Sequence, residues 1–110
     1  MKMVTAIIRP EKFDHVKRAL EEKGFAAMTV SDVRGRGEQK GLSLPYRGGK
    51  MTVDLLPKLK IELAVRDTFA ETVVQIIREA AWTGKIGDGK IFVYPLDMVA
   101  KVRIEEISAD

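Results

Sequence analysis

The chain has 110 residues, 45% of them hydrophobic and 32% charged, with no cysteine and a single histidine, His15. That length suits one domain with a self-sufficient core. The composition excludes a disulfide scaffold, a thiolate zinc site and a one-chain Ser-His-Asp triad. The net charge is +3, and its nearest basic cluster, Lys12, Lys17 and Arg18, is diluted by Glu11, Asp14, Glu21 and Glu22, so it reads as a solvated helix face and nucleic acid is not an expected partner. No apolar run approaches the roughly 20 residues that span a bilayer, and the N-terminal residues lack a signal-peptide pattern. With the absence of cysteine, this points to a reducing cytoplasm.

Residues 2–9 open the chain as a strand, with Met3, Thr5 and Ile7 alternating against Val4, Ala6 and Ile8 and apolar residues on both faces. Pro10 stands where a helix can begin without losing a bond. Phe13, Val16 and Leu20 then recur at helical spacing up to Gly24, a natural helix-terminating residue. Residues 26–34 form the second strand. Residues 58–66 form the third, in which Leu59, Ile61, Leu63 and Val65 alternate with Lys58, Lys60, Glu62 and Ala64. Asp67 or Thr68 is expected to cap a second helix with the stripe Phe69, Val73, Ile76, Ile77 and Ala80, ending by Gly84. Residues 90–96 form the fourth strand, and residues 101–104 add an edge strand.

This order, βαββαβ, is the split βαβ ferredoxin-like arrangement of the α+β class, an antiparallel sheet with both helices on one face. The other face has no cover within the chain, and self-association is the economical way to bury it. Between the second and third strands lie about twenty residues where hairpins use about two to five. We expect residues 36–55 to be a long, flexible, functional loop within the single domain 1–110. Leu42, Leu44, Tyr46 and Met51 are odd choices for a tether.

Two stretches resemble phosphate loops. GKIGDGKI at 84–91 nearly spells the pattern G-x-x-x-x-G-K-[ST], but Ile91 has no hydroxyl for Mg²⁺ and a strand follows where a helix is required. What survives is physical: Gly87, Asp88 and Gly89 can turn successive N–H groups inward as an anion nest, and Lys90 adds a point charge. GRGEQKG at 35–41 has the wrong glycine spacing for a dinucleotide fingerprint. Asp88 and Glu62 are isolated carboxylates, and no catalytic constellation stands out, so we expect no enzymatic activity.

The run TGKIGDGKIFVYPL at 83–96 resembles the C-terminal signature of the PII signal-transduction proteins, which regulate nitrogen metabolism. GFAAMTV at 24–30, GRGEQKG at 35–41, YRG at 46–48 and LPKLKIE at 56–62 are similar to that family in order and spacing, and the likeness spans nearly the whole chain. The resemblance implies a homotrimer of ferredoxin-like subunits with ATP or ADP in the clefts between them. It places the nucleotide among Thr29, Ala64, Gly37, Glu38, Gln39 and the turn Gly87, Asp88, Gly89 and Lys90, with Lys101 and Arg103 supplied by the neighbouring subunit. It further implies 2-oxoglutarate beside MgATP, held by Gln39, Lys40, Gly41, Lys58 and Gly87, with Gln39 as a ligand of Mg²⁺. The long loop would carry the signal, with Tyr46 and Arg47 contacting an ammonium transporter from its cytoplasmic side, so that the protein is cytoplasmic and reversibly membrane-associated. The alternative target is a soluble enzyme or transcription factor of nitrogen metabolism, such as glutamine synthetase.

Departures from the family pattern narrow these expectations. Met51 and Gly49 stand where relatives carry a uridylylated tyrosine and a phosphorylated serine, so neither covalent switch operates at those positions. Lys101 gives up an arginine's bidentate fork for a point charge. Glu38 and Leu44 replace a basic and an acidic residue that bear on 2-oxoglutarate binding.

Overall fold

Alternation in the strands and glycine at the helix ends produce the expected order in the computed structural model, which describes residues 1–37, 42–46, 49–53, 55–104 and 107–108, the strands at 42–46, 49–53 and 107–108 by backbone alone. The elements are β1 (Lys2–Ile8), α1 (Phe13–Glu22), β2 (Thr29–Gly35), β3 (Leu42–Tyr46), β4 (Gly49–Val53), β5 (Leu56–Val65), α2 (Ala70–Ala81), β6 (Gly89–Pro95), β7 (Val99–Ala100) and β8 (Ile107–Ser108). The central sheet runs β2-β5-β1-β6, antiparallel throughout. With two helices on one face, this is the ferredoxin-like α+β fold.

Pro10 ends β1 and sets one turn of 3₁₀ helix, Pro10–Lys12, before α1. Val16 and Leu20, four residues apart, are the buried pair of α1. The helix closes in a Schellman motif: Phe25 N–H donates to the Leu20 carbonyl at 2.9 Å and Gly24 N–H to the Glu21 carbonyl at 3.0 Å, with Gly24 at φ +89°. Phe25 then stands edge-on to Phe69, ring centres 5.8 Å apart.

Helix α2 departs from the expected cap. Asp67 and Thr68 lie inside a 3₁₀ turn, Asp67–Phe69, which starts from Arg66 without a side-chain cap. Asp67 instead meets the Met1 amino group at 3.0 Å. The buried stripe is Ala70, Val73, Ile77 and Ala81, displaced by about one residue from the predicted one, and Phe69 is left 46% exposed.

Val4, Ala6 and Ile8 from β1 and Ile61, Leu63 and Val65 from β5 meet these helices in one buried core. Each fully buried aliphatic side chain there contributes about 1.5–3 kcal/mol. Met3, Thr5, Ile7, Lys60, Glu62, Ala64, Phe92 and Tyr94 share the opposite face, which neither helix covers. Its centre is polar. Thr5, only 8% exposed, donates to Glu62 Oε2 at 3.4 Å and shares a 3.3 Å hydrogen bond with the Tyr94 hydroxyl.

Within the segment expected as a long loop, β3 and β4 pair from Leu42 opposite Val53 to Tyr46 opposite Gly49, and β4 ends in the β-branched Thr52 and Val53. One expectation is corrected. Residues 101–104 form no strand. Val102 and Ile104, which alternation would put on one face, are both exposed and neither packs on the sheet, while β7 pairs with β8 in a separate ladder.

Gly89 fixes the junction between β6 and β1. A Cβ at this position would sit 1.7 Å from the Ile7 carbonyl oxygen, and its φ is +109°. Neither the backbone angle nor the space admits another residue. We predict that Gly89→Ala destabilises the chain by more than about 3 kcal/mol, read as a shift of the urea midpoint at unchanged m-value.

Candidate functional site

The sheet register builds the site. Ile8 is the last residue of β1 to pair, opposite Leu59 of β5 and Gly89 of β6. One step further along the same row stand Lys58, Arg9 and Asp88, and strand alternation puts all three on the face without helices. Two cations and one carboxylate therefore meet beside the loop of residues 82–88.

Asp88 organises that loop. Its Oδ2 accepts from the Thr83 N–H at 2.8 Å and the Gly84 N–H at 2.9 Å. Its Oδ1 accepts from the Thr83 hydroxyl and from Arg9 Nε at 3.1 Å. Burial would raise the Asp88 pKa, but the Thr83 hydroxyl and amide, Arg9 and the Gly84 amide together hold it well below the usual carboxylate range. Thr83 in turn accepts from the Lys85 N–H at 3.1 Å.

Arg9 also donates from Nη2 to the Ile86 carbonyl at 2.6 Å, and Lys58 donates from Nζ to the Gly87 carbonyl at the same distance, 2.6 Å. The two cationic groups flank Gly87: a Cβ there would lie 3.3 Å from Arg9 Nη2 and 3.5 Å from Lys58 Nζ. Burial and then the Arg9 charge lower the Lys58 pKa, opposed by Glu11 and Asp88. An anion arriving here would relieve that repulsion. Gly87 and Gly89 adopt φ of +98° and +109°, and Lys90 follows on the face without helices, opposite Ile7.

A groove of about 620 Å³ runs beside the loop between α2 and β6, where Ile77, Ala81, Trp82 and Ile91 are joined by the charged Arg78, Glu79, Asp88 and Lys90. Trp82 is 69% exposed, and its ring lies against Gly84, 2.9 Å from where a Cβ would be.

The other expected site residues fall as follows. Thr29 opens β2 opposite Glu62 of β5, and Ala64 stands two residues on along the same face. Gly37, Lys101 and Arg103 are exposed. Glu38, Gln39, Lys40, Gly41 and Arg47 lie outside the described residues, and Tyr46 is described only by its backbone pairing with Gly49. Among the described residues no three His, Cys, Asp or Glu side chains converge as a metal site, and no helix is long and apolar enough to cross a membrane. Arg9 and Thr83 were missed from the sequence. Extending the alternation of Met3, Thr5 and Ile7 by one step places Arg9 on the site face, but nothing local marks its loop partners.

A small ferredoxin-like domain whose sheet end holds a glycine loop between two cations is a candidate anion-binding regulator. Residues 1–106 match the model of the family Nitrogen regulatory protein P-II, and the chain belongs to that family. It is 53% identical over 106 residues to Nitrogen regulatory protein P-II 2 of Methanothermobacter thermautotrophicus, covering 96% of this chain and 92% of the relative. It is 47% identical over 110 residues to Nitrogen regulatory protein P-II of Azospirillum brasilense and to that of Rhodospirillum rubrum, covering 100% of this chain and 98% of each relative.

A carboxyl group whose folded pKa lies below its unfolded value of about 3.9 favours folding above that value and loses this contribution as pH falls further. Asp88→Ala should therefore cost about 1–3 kcal/mol at pH 7 and much less near pH 2, measured by urea denaturation at both. An equal cost at the two pH values would contradict the role of the charged carboxylate.

Proposed function

We propose that the chain is a trimeric nitrogen-status sensor that binds ATP or ADP on the 83–90 loop, takes 2-oxoglutarate next to MgATP, and controls an ammonium transporter through its long hairpin. The observation that carries this reading is the convergence of Lys58, Arg9 and the Gly87–Gly89 turn at one end of the sheet. Such a turn suits the phosphates of a nucleotide, because successive N–H groups and a nearby lysine match a polyanion without requiring a catalytic group.

In this reading Lys90 meets the phosphates, Thr29 and Ala64 border the base, and Gly37, Glu38 and Gln39 line the entrance. Lys101 and Arg103 reach in from the neighbouring subunit, and trimerisation covers the sheet face that bears Phe92 and Tyr94. Asp88 is already engaged by four donors, so its part is to shape the turn. Among the described residues no carboxylate cluster stands ready for a resident metal, so Mg²⁺ would arrive with the nucleotide's oxygens and take Gln39 as one further oxygen ligand. Lys58 would pair with the far carboxylate of 2-oxoglutarate, and Lys40, Gly41 and Gly87 would complete that pocket.

The hairpin offers the transporter Tyr46 and Arg47. A permanently charged guanidinium at the cytoplasmic mouth of an ammonium channel can fill the conduit and repel a second cation. With Met51 and Gly49 at the two modification positions, release would depend on ligands, ATP with 2-oxoglutarate dissolving the complex and ADP preserving it.

Calorimetry tests the ligands in order: ADP, MgATP, then 2-oxoglutarate with and without MgATP. We expect 2-oxoglutarate to bind only when MgATP is present; equal binding with ADP would sink the coupled mechanism. Lys90→Ala should weaken ATP binding roughly 10- to 100-fold at unchanged trimer mass. Arg47→Ala should leave nucleotide binding intact and abolish inhibition of ammonium uptake, so full inhibition by this variant would refute the plug.

A further inference from the structure

Arg9 and Lys58 reach the loop through consecutive carbonyls, Ile86 and Gly87, each at 2.6 Å. A trans peptide unit is planar, with its C=O and the following N–H pointing in opposite directions, and none of the peptide bonds described here is cis. Fixing the Ile86 oxygen toward Arg9 therefore aims the Gly87 N–H away from Arg9. Fixing the Gly87 oxygen toward Lys58 likewise aims the Asp88 N–H away from Lys58. Neither amide has an acceptor among the described residues.

We propose that Arg9 and Lys58 are a pair of carbonyl clamps that preset the Gly87 and Asp88 amides as anion donors, with Arg9 the positioning residue for the first of them. The inference rests on the reading of residues 83–90 as the phosphate turn. Arg9 suits this work because its planar fork serves two acceptors at once: Nε holds Asp88 Oδ1 at 3.1 Å while Nη2 holds the Ile86 carbonyl. The loop's internal bonds from Thr83 and Gly84 to Asp88 give it a shape. The two cations tie that shape to the sheet, from residues 79 and 29 positions away in sequence. A lysine at position 9 would reach one acceptor and leave the other.

The clamps also link two ligands. A carboxylate that draws the Lys58 ammonium toward itself competes with the Gly87 carbonyl for its three donors, and a weaker hold on that carbonyl loosens the Asp88 amide. An acid bound at Lys58 would then alter the grip on a phosphate without touching it.

The test uses the full-length protein with two readouts. In ligand-free protein, ¹⁵N order parameters of the Gly87 and Asp88 amides should match rigid backbone, about 0.85. Arg9→Gln should drop the Gly87 value toward about 0.6, and Lys58→Met should do the same at Asp88. Rigid amides in both variants, or mobile ones in the wild type, overturn the proposal. In the second readout, Arg9→Gln and Arg9→Lys should each lose roughly 10-fold in ADP affinity, with an unchanged salt dependence between wild type and Arg9→Lys because the charge is kept. Full rescue by Arg9→Lys would make Arg9 a point charge and refute positioning. Should Arg9→Gln not fold, Lys58→Met still decides through its effect on the Asp88 amide. Absence of ADP binding by the wild type would count against the nucleotide reading, while the order parameters would still judge the clamps.

Discussion

The approach of residue 89 to the Ile7 carbonyl governs everything at the working end of this molecule. Because no Cβ fits between them, β6 can start directly against the last pairing residues of β1. The 82–88 loop must then leave the sheet at the place where Pro10 turns β1 into a helix. The missing side chain permits this approach, and the antiparallel β1–β6 ladder, which runs to Ile8 opposite Gly89, holds it. Arg9, just past the end of β1, is held extended at φ −66° and ψ 136° by the proline that follows it and faces the loop from the end of the strand. The charged cluster is thus a product of where two strands end.

Electrostatics then divides the labour among three side chains. Asp88 is wholly occupied with internal donors, so its charge is spent on loop geometry. Lys58 stands in the field of Arg9 and in partial burial, both of which disfavour its charged form. Together the two cations make a place where negative charge is welcome, beside a groove between α2 and β6 of mixed apolar and charged lining.

Much of the fold was legible because its signals are periodic. The alternation in residues 58–66 and the spacing of Val16 and Leu20 each name one face of one element, and the structure buries those faces. Legibility failed where the deciding partner is remote. Asp67 is a good capping residue by type, yet an amino group across the fold takes its carboxylate. The hairpin at 42–53 was hidden because glycine and proline surround it and read as irregular. At the site, the glycines and lysines were visible through their loop chemistry and resemblance. Arg9 was not, since its meaning lies in a register with a residue 79 positions later.

Trp82 is the chain's one tryptophan. Its indole is largely in solvent and rests on Gly84, two residues further along the loop that Asp88 ties together. Any rearrangement of that loop changes what the ring touches. The protein therefore carries a built-in optical label at its most informative position: native emission from a single fluorophore, free of background from other indoles, follows the loop without a dye or an added residue.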